Sequence, residues 1–208
     1  MTFHRIGLYF GSFNPIHAGH LHVVKTALKT TIDKLYLVVS PQSPFKPLSE
    51  LAPFEDRLAM AQIALMESDL EAKVEAVDWE KNIYPSYTAH TLQSDIPMLR
   101  DNEVTIFMGL DNFLTIDKWK EPQYILENFC IYIIPRGGDN AILAIDKKVQ
   151  ELRENVTPRI KCVNYSNPFE KFDMAATNIR ELIKNSQSTD SMLVKGVQDY
   201  IAEKKLYI

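Results

Sequence analysis

At 208 residues with a net charge of −4, the chain is long enough to cover both faces of a central sheet. It is too weakly and too negatively charged to track a polynucleotide, so small phosphorylated ligands are favoured. No apolar run approaches 18 residues and no basic stretch leads into an apolar core at Met1 to Arg5, so the expectation is a cytoplasmic protein that neither spans nor binds a membrane. Cys130 and Cys162 each sit inside an apolar run, a pattern that predicts buried thiols in a reducing compartment rather than a disulfide or a metal site.

The first strand-length run, Ile6 to Phe10, is followed by Gly11-Ser12-Phe13-Asn14-Pro15-Ile16-His17-Ala18-Gly19-His20 and a helical stretch, Leu21 to Leu28. Gly11 permits close backbone approach or a positive φ, and Pro15 stiffens the bend. A helix opening here aims unpaired N–H groups at the bend, which suits phosphate. His17 and His20 are three apart and share a face once the helix has begun, so both can point at one anion. Either histidine alone also reads as a helix cap.

A second strand, Leu35 to Val39, runs into a proline-stiffened loop, Ser40 to Pro47, which carries Lys46 as a mobile point charge for phosphate or as a solvated surface group. Glu55 to Met66 has helical spacing with acids in its first turn and reads as scaffold. Val74 to Val77 is a third strand. Pro85 to Leu92 then opens a helix with Ser86 or Thr88 as its N-cap. The fourth strand, Val104 to Met108, ends at Gly109 and Asp111, where a carboxylate either binds ribose hydroxyls or caps a helix. Trp119 between Lys118 and Lys120 is polar in context and offers a stacking surface beside positive charge.

Cys130 to Ile134 is the fifth strand, closed by Arg136, which either anchors a phosphate or is solvated. Ile160 to Val163 is the sixth. Thr177 then reads as an N-cap with Arg180 one turn later, and Val194 to Tyr207 is a closing helix that packs. The alternation of strands and helices predicts an α/β fold with a doubly wound parallel sheet that binds ligands at the carboxyl ends of its strands. With no composition shift along the chain, residues 1–208 read as a single domain with a C-terminal helical portion from about Thr177.

The pattern G-x-F-x-P-x-H-x-G-H resembles the signature of the Rossmann-like nucleotidyltransferases related to class I aminoacyl-tRNA synthetases. Ser86-Tyr87-Thr88-x-x-Thr91-Leu92, the Gly109-x-Asp111…Lys118-Trp119 arrangement, Thr177-x-x-Arg180 and the closing Tyr200-Ile201…Leu206-Tyr207 resemble the nicotinate-nucleotide adenylyltransferases within that superfamily. The resemblance implies adenylyl transfer from ATP to nicotinate mononucleotide, with His17, His20, Lys46 and Arg180 as catalytic groups. ATP would lie against Gly11, Ser12, Phe13, His17, His20, Gly109, Asp111, Thr177 and Arg180. The mononucleotide would lie against Asn14, Lys46, Tyr87, Thr88, Trp119 and Arg136, its base stacked on Trp119 and its carboxylate on backbone N–H groups near Thr88. Mg²⁺ would arrive with ATP, since the sequence offers no carboxylate cluster for a protein-built metal site. Where the family has two serines before its Thr, this chain has Ala175 and Ala176, which removes two hydroxyls but leaves the backbone donors. Other readings of the same signature are a phosphopantetheine adenylyltransferase, a cytidylyltransferase or a non-catalytic nucleotide sensor, and the chain is compatible with a homo-oligomer.

Overall fold

The six apolar runs become six parallel strands in the structure, a computed structural model that describes residues 4–42, 48–135, 138–167 and 174–208. They are β1 (Arg5–Gly11), β2 (Lys34–Val39), β3 (Val74–Val77), β4 (Glu103–Gly109), β5 (Cys130–Ile134) and β6 (Cys162–Tyr165), in the order β3-β2-β1-β4-β5-β6. Every neighbouring pair is parallel. Helices cover both faces, which is why the strands read as continuous apolar runs rather than as alternating ones. Leu35, Leu37, Val39 and Phe107 face a core shared with α1 (Ala18–Ala27), α2 (Phe54–Glu67), α8 (Ala176–Lys184) and α9 (Lys195–Lys204). Leu8, Tyr36, Val38, Ile106 and Ile133 face the opposite core, shared with α3 (Thr88–Gln93), α5 (Leu110–Leu114), α6 (Pro122–Asn128) and α7 (Gly138–Asn155). A short helix, α4 (Pro97–Arg100), precedes β4. Among the described residues no helix is long and apolar enough to cross a membrane.

β1 is the pivot of the sheet. The chain winds outward from it through β2 and β3, then returns to its other side with β4 and continues to β5 and β6. The loops after β1 and β4 therefore leave in opposite senses, and the crevice they open is where this architecture takes ligands.

The cysteine expectation is overturned. Cys130 and Cys162 are direct partners in the parallel register of β5 and β6, with Cα atoms 4.8 Å apart, and are joined as a disulfide. Both are half-buried. Their sequence separation of 32 hid an adjacency that only strand pairing creates. β6 also starts two residues later than its apolar run, because the Lys161 N–H is already donated to the Leu126 carbonyl at 2.8 Å. The closing helix α9 is shorter than expected and ends at Lys205, in the left-handed region at φ 51°. Its start is held by Glu67, whose carboxylate accepts the N–H groups of Lys195 (3.1 Å) and Gly196 (2.7 Å). Gly196 is needed for that approach, since a Cβ there would lie 2.8 Å from both Glu67 and Ile63 atoms.

Candidate active site

The loop between β1 and α1 is shaped by an aromatic side chain folded back on its own backbone. Phe13, 1% exposed, carries the left-handed φ of 45° that the sequence reading allowed to Gly11. Its ring lies over Gly11, where a Cβ would sit 2.9 Å from Phe13 Cζ. Gly11 is thus a close-approach glycine. The Asn14–Pro15 bond is cis.

His17 and His20 cap α1 and each other. His17 Nδ1 accepts the Gly19 N–H at 3.1 Å, and His20 Nδ1 accepts the His17 N–H at 3.2 Å, a reciprocal capping box at the helix start. The rings lie with centroids 3.8 Å apart. Because both Nδ1 atoms accept, each neutral imidazole carries its proton on Nε2. The cap thus fixes the tautomer and orientation of both rings, with Nε2 as the N–H donor of each. His17 is buried at 4% exposure, while half-buried His20 reaches the cavity.

That cavity, about 500 Å³, lies at the carboxyl ends of β1, β2 and β4. Its walls are residues 9–14 and His20 on one side, Ser40 after β2, Ser86, Tyr87 and Thr88 at the opening of α3, Asn112, Thr115 and residues 118–120 after β4, and Ala176 of α8. The structure thus gathers Gly11, Ser12, Phe13, Asn14, His20, Tyr87, Thr88 and Trp119 into one space. Gly109, Asp111, Thr177, His17 and Arg180 stand outside that lining. Asp111 is exposed in the first turn of α5, and its neighbour Asn112 faces the cavity. Arg180 donates from its guanidinium to the Asn14 carbonyl (3.0 Å) and to Thr177 Oγ1 (3.3 Å). Lys46 and Arg136 lie outside the described residues.

Three capping expectations are corrected. Tyr87, not Ser86 or Thr88, is the N-cap of α3, and the Ser86 hydroxyl donates instead to the Gln42 carbonyl at 3.2 Å. Ala175 is the N-cap of α8, so Thr177 stands inside the first turn, and Gly109 rather than Asp111 caps α5. Backbone geometry set these boundaries without a side-chain cap, which residue preference alone cannot reveal.

Two buried polar groups behind the cavity were read only as scaffold or not read at all. Arg57 on α2 is 1% exposed and donates to four carbonyls: Ala52 (2.9 Å), Ser12 (2.7 Å), Ser40 (2.6 Å) and Pro41 (2.8 Å). It ties the loop after β1 to the loop after β2. The signal was an arginine on the apolar stripe of α2, since burying a guanidinium is tolerated only where its donors are paired.

Glu80, also 1% exposed, accepts a short hydrogen bond from Thr91 Oγ1, while its Oε2 accepts none. Burial pushes this acid up, against the lowering effect of the Thr91, Ser86 and Ser40 hydroxyls. The folded chain then keeps a proton that the unfolded chain releases, so Glu80's contribution to stability is complete below its ordinary value of 4.5 and is lost as pH rises through the raised folded value. Glu80→Gln keeps the acceptor and removes the titration. Its thermal midpoint is expected to climb relative to the unaltered chain as pH increases above about 4.5 and to converge with it in more acidic solution. A pH-independent difference would leave the ionisation of Glu80 without a role.

Comparisons with known proteins agree with this geometry. Residues 8–183 match the cytidylyltransferase-like family. The chain is 33% identical over 205 residues to a "Probable nicotinate-nucleotide adenylyltransferase" of Cytophaga hutchinsonii and 32% identical over 205 residues to one of Flavobacterium johnsoniae, each match covering 98% of both chains. In fold it is similar to a Plasmodium falciparum nicotinic acid mononucleotide adenylyltransferase complexed with NaAD. That match has a TM-score of 0.74 and 21% identity, over 98% of this chain and 97% of that one. The match over residues 8–183, on a six-stranded parallel sheet, makes the chain a nucleotidyltransferase of the cytidylyltransferase-like class. Within that class the chain belongs to the nicotinate-nucleotide adenylyltransferase family.

Proposed function

We infer that this chain, as one domain over residues 1–208, transfers the adenylyl group of ATP to nicotinate mononucleotide, forming nicotinate adenine dinucleotide and pyrophosphate. The observation that carries the reading is the cavity itself, which His20 of the signature segment lines together with Tyr87, Thr88 and Trp119. One end suits a triphosphate and the other an aromatic acid.

A phosphate oxygen of the mononucleotide attacks the α-phosphorus of ATP. The new P–O bond forms as the bond to the bridging oxygen breaks, and pyrophosphate leaves with that electron pair. The attacking phosphate has a second pKa near ~6 and is already ionised at neutral pH, so no general base is needed. Catalysis is then a matter of alignment and charge stabilisation. In this reading the Nε2–H of His17 and His20, with Lys46, Thr177 and Arg180, act on the α-phosphate and on the pyrophosphate oxygens. Gly109 and Asp111 belong to the ATP side, while Asn14 and Arg136 belong to the mononucleotide side with Lys46. The donors at the cavity, imidazole and backbone N–H, hydroxyl and lysine, fit phosphate oxygens and the Mg²⁺ complex those oxygens carry, rather than a bare cation.

Because α3 is only six residues long, its dipole adds little. The carboxylate of the base is better assigned to the local N–H groups that open α3 at Thr88 and Ala89, flanked by Lys118 and Lys120. An amide presents its own NH₂ to those donors and leaves them unpaired, so kcat/KM should favour the acid over nicotinamide mononucleotide. Loss of base stacking in Trp119→Ala is expected to weaken nicotinate mononucleotide by about 1–3 kcal/mol while leaving KM for ATP nearly unchanged. Pyrophosphate release from ATP with a panel of phosphorylated acceptors tests the reading. Pantetheine phosphate as the best acceptor, or equal use of acid and amide, would overturn it.

A further inference from the structure

We propose that Tyr207, on the turn that follows α9, is a positioning residue for adenylyl transfer, locking the signature loop through Asn14. The inference rests on the reading above and deepens it. Asn14 is 4% exposed, three residues before His17, and every polar atom of its side chain is engaged. Its Oδ1 accepts the Tyr207 hydroxyl at 2.8 Å and the Ala52 N–H at 3.0 Å, and its Nδ2 donates to the Glu50 carbonyl at 2.8 Å. Its backbone carbonyl accepts from Arg180 at 3.0 Å. One residue of the signature loop therefore joins the segment ahead of α2, the helix carrying Arg180, and the last turn of the chain.

The side chain of Asn14 consequently ties down the loop that lines the cavity. Tyr207 meets it from a left-handed turn, φ 64°, that follows the end of α9. Burial pushes the Tyr207 hydroxyl up, so it stays a neutral donor at working pH. A comparable bond on the same segment supplies an internal control. The Tyr200 hydroxyl donates to Asp56 of α2 at 2.8 Å, and neither residue lines the cavity.

Tyr207→Phe removes one hydroxyl and nothing else. Losing a hydrogen bond of ordinary strength at the loop should lower kcat by about three- to tenfold, with thermal midpoints of Tyr207→Phe and Tyr200→Phe falling alike. Tyr200→Phe should keep wild-type kcat. Amide exchange read without substrate gives a second measure: the Ala52 and Gly19 N–H groups should exchange faster in Tyr207→Phe and not in Tyr200→Phe. Absence of pyrophosphate release by the unaltered chain would defeat the adenylyl-transfer reading, and the exchange comparison would still decide whether Tyr207 holds the loop. Equal exchange in the two variants, equal kcat, or a Tyr207→Phe chain that fails to fold would assign Tyr207 to the fold alone and overturn the proposal.

Discussion

Arg57→Met is expected to lower the unfolding free energy by about 3–5 kcal/mol, the range for breaking a buried charged network by removing one partner. Burial alone lowers the Arg57 pKa, yet a guanidinium stays charged in any folded protein. Its stability inside the core comes from the four carbonyls it satisfies, and those carbonyls lose their donor in the variant. Arg57→Lys retains the charge but not the planar fork, so it cannot reach Ser12, Ser40, Pro41 and Ala52 together and should recover less than half of the loss. Urea denaturation followed by circular dichroism measures both. An Arg57→Met midpoint corresponding to a loss of less than about 1 kcal/mol would show that the loops hold their own shape.

His20→Ala should reduce kcat by roughly 10²–10³, the loss seen when a donor to developing negative charge is removed. The same change also deletes the acceptor for the His17 N–H, and a lost cap costs about 0.5–2 kcal/mol of stability. The two effects separate in His20→Gln. Glutamine is a favoured residue at this third helical position because its side-chain oxygen reaches back to the N-cap N–H. It should restore the capping box and the thermal midpoint, so the kcat that remains lost belongs to the missing imidazole. A His20→Gln chain with near wild-type kcat would remove His20 from the chemistry and leave it only a cap.

The strands were legible because most are short β-branched or aromatic runs, and the inner ones are buried on both faces; the signature loop was legible because Gly11, Pro15, His17 and His20 stand at a spacing that chemistry explains. What the chain order hides is pairing. Cys130 and Cys162 looked like two isolated thiols, and the register of β5 against β6 made them one bond. Thr88, Asp111 and Thr177 have residue types that favour caps, but the chain enters each helix one or two residues earlier, at Tyr87, Gly109 and Ala175. Arg57 was submerged in a helical pattern whose other members are apolar. For Asn14, nothing local indicates that residues near positions 50, 180 and 207 converge on it.

The order of the sheet bears on how copies of the chain meet. Its two outermost strands, β3 and β6, are four residues each, whereas β1 and β4 at the centre have seven. On β3 the exposed position Glu75 is paired with Lys34 of β2 at 2.5 Å, which sets charge along that margin. Short rims, charged on the β3 side, offer few free N–H and C=O groups for a neighbouring sheet to continue, which is how natural proteins block edge-to-edge aggregation. A concentrated preparation should therefore resist fibril growth by strand addition.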